Sequence, residues 1–268
     1  VPNCTKDKVV DPLGVCSVFD GSNVSVTCPV RFREKWVIAS DAANFLFPQG
    51  TKWTSLTEIR LNDVHTKSAG NIDVVLVSYD DNGRLIDFGS LEVQAVYISG
   101  TIRTPFAHYM SNPLQHKNMD WQGRKNYPRP DYVSSSRKRL APQLLFKGGI
   151  LHKWGKKQVV AVDSSFFATL PIMEEVPVEA AEFLWLVYNF ELDASRNQFE
   201  QKLARKVYTT FNSTLNSLTI AEPGEVTDFI KTLQVRLNEK LFTGLYGHDE
   251  EEDELPPDAP TLQDIFGE

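Results

Sequence analysis

Apolar and polar positions along the chain fall into a few clear periods. The segments "NIDVVLVSY" (71–79) and "RLIDFGSLEVQAVYI" (84–98) are strand-like and flank "DDNG", so the pattern predicts a β-hairpin with an Asn-Gly turn. "KQVVAVDSSFF" (157–167) and "AEFLWLVYNFEL" (181–192) read as further core strands, the second apolar enough for a sheet centre. "RFREKWVIASDAANFLF" (31–47) has helical apolar spacing and stops at Pro48, while "SLTEIRL" (55–61) closes a helix or opens an edge strand. "SSRKRLAPQLLFKGGILHKW" (135–154) is helical in part, with Pro142 starting a helix or kinking one. Two helices, over "QFEQKLARKVYTTFNSTL" (198–215) and "EVTDFIKTLQVRLNEKLF" (225–242), are expected near the end, and residues 1–30 are short, turn-rich and β-leaning. This order predicts a mixed α/β (α+β) fold, a central mixed sheet flanked by helices. No apolar run approaches the roughly 20 residues that cross a bilayer, so no membrane association is expected, and the absence of an apolar leader points to the cytoplasm. The chain starts at Val1 without an initiator Met, which reads as processing or trimming.

One strand carries an unusual load. In "GSLEVQAV" (89–96), Glu92 and Gln94 are two apart, so a strand places both on one face. Asp73 sits early in the partner strand of the hairpin, and the eighteen intervening residues include the turn, so the two carboxylates can meet across it. Clustered carboxylates repel when ionised and partly buried. A divalent ion removes that difficulty, and Mg²⁺ takes carboxylate and carbonyl oxygen together with water. Gln94 is placed to hydrogen-bond an attacking water or a phosphate oxygen, and Glu58 offers a third carboxylate upstream. The plainer alternative is an exposed Glu/Gln pair on an edge strand.

Charge changes the picture once it is mapped. The net charge is -7, yet residues 249–268 hold nine acidic and no basic residues, and the rest of the chain carries +2. Residues 101–160 contain twelve Lys/Arg against two Asp, a local +10 that marks a candidate polyanion-binding surface. Within it, Arg103, Arg124, Lys125, Arg137, Lys138, Arg139, Gln143 and Lys147 are the candidate polyanion-binding residues, which the resemblance described below would make DNA-binding. Arg139, Gln143 and Lys147 would share a face if Pro142 leaves the helix continuous. Trp121, Tyr127 and Tyr132 interleave with the basic residues, as a nucleic-acid-contacting loop does, or else they pack that loop down. The acidic tail is expected to be disordered. Cys4, Cys16 and Cys28 all lie in the first 28 residues, with eleven residues between each pair. Three thiols make no complete disulfide framework, and a thiolate metal site needs a fourth ligand.

Asp followed by Glu-x-Lys or a variant resembles the metal site of the PD-(D/E)XK nucleases, with Asp73, Glu92 and Gln94 in the motif positions. The segments "LGVCSVF…VSVTCPVRF", "FGSLEVQAVYISG", "SRKRLAPQLLFKGG" and "WLVYNFELD" resemble, in order, segments of the NotI-type restriction endonucleases over roughly residues 4–195. The resemblance implies a homodimer that cuts a specific palindromic site in double-stranded DNA with Mg²⁺ and carries iron on four cysteines. It makes Asp73, Glu92 and Gln94 the catalytic trio, with Glu58 as helper and the Val93 carbonyl joining Asp73 and Glu92 on Mg²⁺. Cys4, Cys16 and Cys28 become three ligands of a structural iron or zinc, the fourth falling before Val1. The expected organisation is a cysteine-rich segment (1–30), a nuclease domain (31–247) and the tail (248–268). A prokaryotic cytoplasm with a cognate DNA methyltransferase is the implied setting. The competing readings are a catalytically silent DNA-binding module of the same fold and a repair or junction nuclease.

Overall fold

The computed structural model describes residues 15–19, 21–65, 67–120, 127–221 and 223–246, without the side chains of 243–246. Cys4, Trp121, Arg124, Lys125 and the acidic tail lie outside the described residues. The chain divides into two compact units, Val1–Ile220 and Ala221–Glu268. In the second, the described structure is the helix Val226–Tyr246, as its pattern predicts. This helix lies within the expected domain 31–247 and belongs to the second compact unit.

In the first unit, strands β1 (Ser17–Phe19) and β2 (Val24–Val26) form a small antiparallel ribbon. The main sheet comprises β3 (Trp53–Asn62), β4 (Ser68–Tyr79) and β5 (Leu85–Val93), then β8 (Gln158–Asp163), β9 (Phe183–Asp193) and β10 (Gln198–Thr209). Strands β6 (Tyr97–Ser99) and β7 (Arg129–Asp131) pair beside it. The spatial order is β10-β9-β8-β5-β4-β3; β5, β8 and β9 run parallel and the outer pairs antiparallel.

The β4–β5 hairpin forms as its alternation predicts. Asp80 Oδ1 accepts the N–H groups of Asn82 and Arg84, and Gly83 takes the positive φ (74°) that the turn requires. Segment 55–61 resolves as part of the edge strand β3. The segment 198–215 departs from its expected helix. Residues 198–209 pair with β9 along their whole length, and only Phe211–Thr219 is helical, capped by the Thr210 hydroxyl. Gln, Glu, Lys, Leu, Ala and Arg favour helix intrinsically, but the exposed edge of β9 offers this segment a full ladder, and tertiary pairing wins.

Both faces of the sheet are covered, which is why β8 is apolar on successive residues. Helix Val37–Leu46 packs on one face with Val74, Leu91, Val93, Val159 and Leu184. Gly89 lets it come close, since a Cβ there would lie 2.5 Å from Leu46 Cδ2. Tyr188 donates its hydroxyl to Asp41 Oδ2 (2.7 Å), fastening this helix to β9. On the opposite face Leu140 and Leu144 pack with Val160, Val162 and Trp185, and Leu151 packs with Ile72 and Val75. These leucines belong to a helical run through 134–153 in which π turns (Ser134–Leu140 and Leu144–Gly148) alternate with α turns. Pro142 lies inside the run without ending it.

Candidate active site

The register of the hairpin brings the acids together. Val74 pairs with Leu91, so one step further Asp73 falls opposite Glu92. The ladder ends there, and Asp73 Oδ2 accepts the Val93 N–H (2.9 Å). On its other side β5 pairs with β8, Glu92 beside Val160, and the Gln94 N–H continues that pairing to the Ala161 carbonyl (3.0 Å). Glu92 therefore shares the face of Val160, which the 134–153 run covers. Gln94 is buried as well, but its amide Nε2 donates to the adjacent Ala95 carbonyl (2.6 Å).

Glu92 is 5 % exposed. Its close neighbours are the Lys147 ammonium, 2.7 Å from Oε1, and the Asp73 side chain. Burial pushes the Glu92 carboxyl up to about 7; Asp73 adds to the rise, and Lys147 opposes it. Lys147 Nζ also donates to the Asn71 carbonyl (2.8 Å). Its stem passes Gly70, whose φ of 113° suits glycine. Lys147 is thus turned into the molecule instead of lying with Arg139 and Gln143 on an outer phosphate-binding face. In the sequence it belongs to the basic segment, with no sign of a part beside the carboxylates. Its one signal was position: it replaces an apolar residue in the inward stripe Leu140, Leu144, Lys147, Leu151.

The register puts Glu58 opposite Asp73 as well, because Thr57 pairs with Val74 and Ile59 with Ile72. Its backbone is left-handed (φ 55°), its side chain is exposed, and no group of three acidic, His or Cys side chains close enough to share a metal occurs among the described residues. Two carboxylates and a main-chain carbonyl still suit Mg²⁺, which binds through one or two carboxylates and keeps several waters. The observation that bears on such an ion is the closeness of the two acids, since Asp73 raises the Glu92 carboxyl.

Arg137, Lys138 and Arg139 are exposed, Gln143 is half-buried, and Arg103 opens the helix Arg103–Ser111. The Arg139 guanidinium lies 4.5 Å from the centre of the Tyr97 ring. Tyr132 packs inward, sharing a hydrogen bond of 2.6 Å with Ser25. Cys16 is exposed and Cys28 buried. The β1–β2 register sets Cys16 opposite Thr27, whose N–H donates to the Cys16 carbonyl (3.0 Å). The ribbon is tied to the site strand, since the Val96 N–H donates to the Val26 carbonyl (2.7 Å).

Paired acids lie at the end of a hairpin in a mixed sheet, with a buried ammonium against one of them. Residues 1–201 match the family model for the restriction endonuclease NotI, and the chain belongs to that family. Membership implies a nuclease with DNA as its substrate. No individual curated protein matched the chain. Among the described residues, no helix is long and apolar enough to cross a membrane.

Proposed function

We propose that this protein is a type II restriction endonuclease of the PD-(D/E)XK kind, hydrolysing phosphodiester bonds at a specific palindromic site in duplex DNA. The observation that carries the reading is the pair Asp73 and Glu92, brought to one point by the hairpin register, with Glu92 buried beside a second carboxylate. Asp73, Glu92 and the Val93 carbonyl would hold Mg²⁺. When bound, the ion supplies Lewis acidity at the phosphate and a more acidic water. Asp73 keeps the end of β5 in place through the Val93 N–H, and Gln94 exchanges its local bond with Ala95 for one to water or phosphate. In the reaction a water oxygen bonds to phosphorus, the bond from phosphorus to one sugar oxygen breaks, and that oxygen takes up a proton. Arg103, Arg124, Lys125, Arg137, Lys138, Arg139 and Gln143 serve DNA binding in this scheme. Cys4, Cys16 and Cys28 serve a structural iron or zinc, and a homodimer cuts the two strands. Incubating plasmid DNA with the protein and Mg²⁺ tests the activity. Discrete fragments with uniform ends are expected, whereas nicks or smears favour a repair nuclease and intact DNA a silent binding module.

A further inference from the structure

A diester phosphate gains negative charge on its way to the five-coordinate state, and a cation in the site offsets that charge best when fixed in advance. Gln94 is neutral, and its amide is engaged with its own neighbour. The cation that the fold brings to the carboxylates instead comes from a different element. Lys147 lies in the π turn Leu144–Gly148, 4 % exposed, with Nζ 2.7 Å from Glu92 Oε1.

Burial alone would not choose this arrangement. Leu145 and Phe146 beside it are 47 % and 62 % exposed, while the lysine occupies the inward position. Burying an ammonium costs several kcal/mol, and one carboxylate without ideal geometry returns little of it. The surroundings nevertheless accommodate the lysine: its stem runs beside Gly70 and the Asn71 carbonyl accepts one N–H. Directly after it, a Cβ at Gly148 would come within 2.9 Å of Gln158 Oε1, so the glycine holds the π turn close to β8. π turns of this kind re-aim side chains and recur at functional sites. An ammonium has three N–H donors; one goes to Asn71 and one faces Glu92, which leaves a third for another acceptor.

We propose that Lys147 is a catalytic residue, contacting the attacking water or a non-bridging oxygen of the scissile phosphate and supplying from the helical run the charge that position 94 lacks. This inference rests on the nuclease reading above. The lysine moves no proton in the scheme. It lowers the energy of the charge that builds on the phosphate oxygens while the water oxygen bonds to phosphorus and the sugar oxygen leaves.

The test uses Lys147→Gln, Gln94→Lys and the transposed double variant Gln94→Lys/Lys147→Gln, with a duplex carrying the mapped cut site. Lys147→Gln is expected to lower single-turnover cleavage by ~10²–10³-fold, the scale for removing one preorganised charge-stabilising donor, while duplex binding in Ca²⁺ changes by less than about threefold. Ca²⁺ binding to the DNA-free protein, followed by titration calorimetry, tightens in this variant, since a competing cation has left Glu92. The transposed variant regains at least about tenfold of the missing rate, because it returns an ammonium to the same carboxylates. Should Lys147→Gln fail to fold, the transposed variant decides alone: folded and cutting, it supports the proposal; folded and inert, it overturns it. Cleavage by Lys147→Gln within threefold of the parent also overturns it, as does unchanged Ca²⁺ affinity together with no recovery on transposition. A parent protein that cuts no DNA overturns the nuclease reading instead, so the two failures are distinct.

Discussion

Glu92 and Asp163 are buried acids on neighbouring parallel strands, and burial pushes both carboxyls up. Their surroundings differ in kind. Asp163, 1 % exposed, accepts from the Ser165 hydroxyl, the Phe166 N–H (2.8 Å) and the Val26 N–H (3.3 Å). It caps the helix Ser164–Phe167 and secures the cysteine-bearing ribbon to the sheet. Glu92 has an ammonium against one oxygen and the Asp73 side chain beside it. Asp163 has neutral donors supplied by neighbouring loops and strands and holds architecture together, whereas Glu92 is set among charges, and the scheme proposed above gives it a metal to hold. Burial and titration alone would class the two together.

The largest expected effects break the contrast on the Glu92 side. Asp73→Ala and Glu92→Ala should each lower cleavage by at least ~10²–10³-fold and leave duplex binding in Ca²⁺ measurable, as filter binding beside a cleavage time course would show. Cleavage near the parent rate in either variant would remove that residue from the site. Asp163→Ala should do the reverse. It removes a helix cap and strands two donors, a loss of about 2–3 kcal/mol in denaturant unfolding, while cleavage per folded molecule stays that of the parent.

Legibility in the sequence follows the same division between local and distant causes. The β4–β5 hairpin could be read because its alternation, its Asn-Gly turn and the two-residue spacing of Glu92 and Gln94 are local. Strand β10 could not: its residues are good helix formers, and the pairing edge of β9 that overrules them is a tertiary fact. Glu58 lies in register opposite Asp73, upstream as the sequence suggests, but nothing in "SLTEIRL" announces a left-handed residue there. Lys147 is the clearest case. In the sequence it belongs to a basic stretch, and only folding turns it away from that stretch and onto Glu92.

Titration sharpens the comparison by a smaller amount. Glu92 has an ordinary value of 4.5, raised to about 7 in the fold. Between these values the unfolded chain has released the proton that the folded protein keeps, so stability falls as pH rises through that window and levels off above it. Asp163 contributes with the same sign. Unfolding midpoints measured from about pH 4.5 to about pH 8 should therefore decline, and Glu92→Gln should flatten the part nearest neutrality; an unchanged pH profile in that variant would contradict the assignment. Smallest of all is the surface term. Neutralising Arg137, Lys138 and Arg139 together should weaken DNA binding and reduce the slope of log K against log salt by about 0.9 for each phosphate that no longer meets a cation. An unaltered slope would mean that DNA lies elsewhere.

The bond from Lys147 to the Asn71 carbonyl joins residues 76 apart in the chain. During synthesis the β4–β5 hairpin emerges with both acids well before the lysine exists, and β8 must pair alongside β5 before the sheet that carries them is closed in. Every nascent or fragmentary chain ending ahead of the helical run thus carries the two acids without their cation. In the proposed scheme, competence to cut is therefore a property of the finished fold, to which a cell making this protein is exposed only after folding is complete.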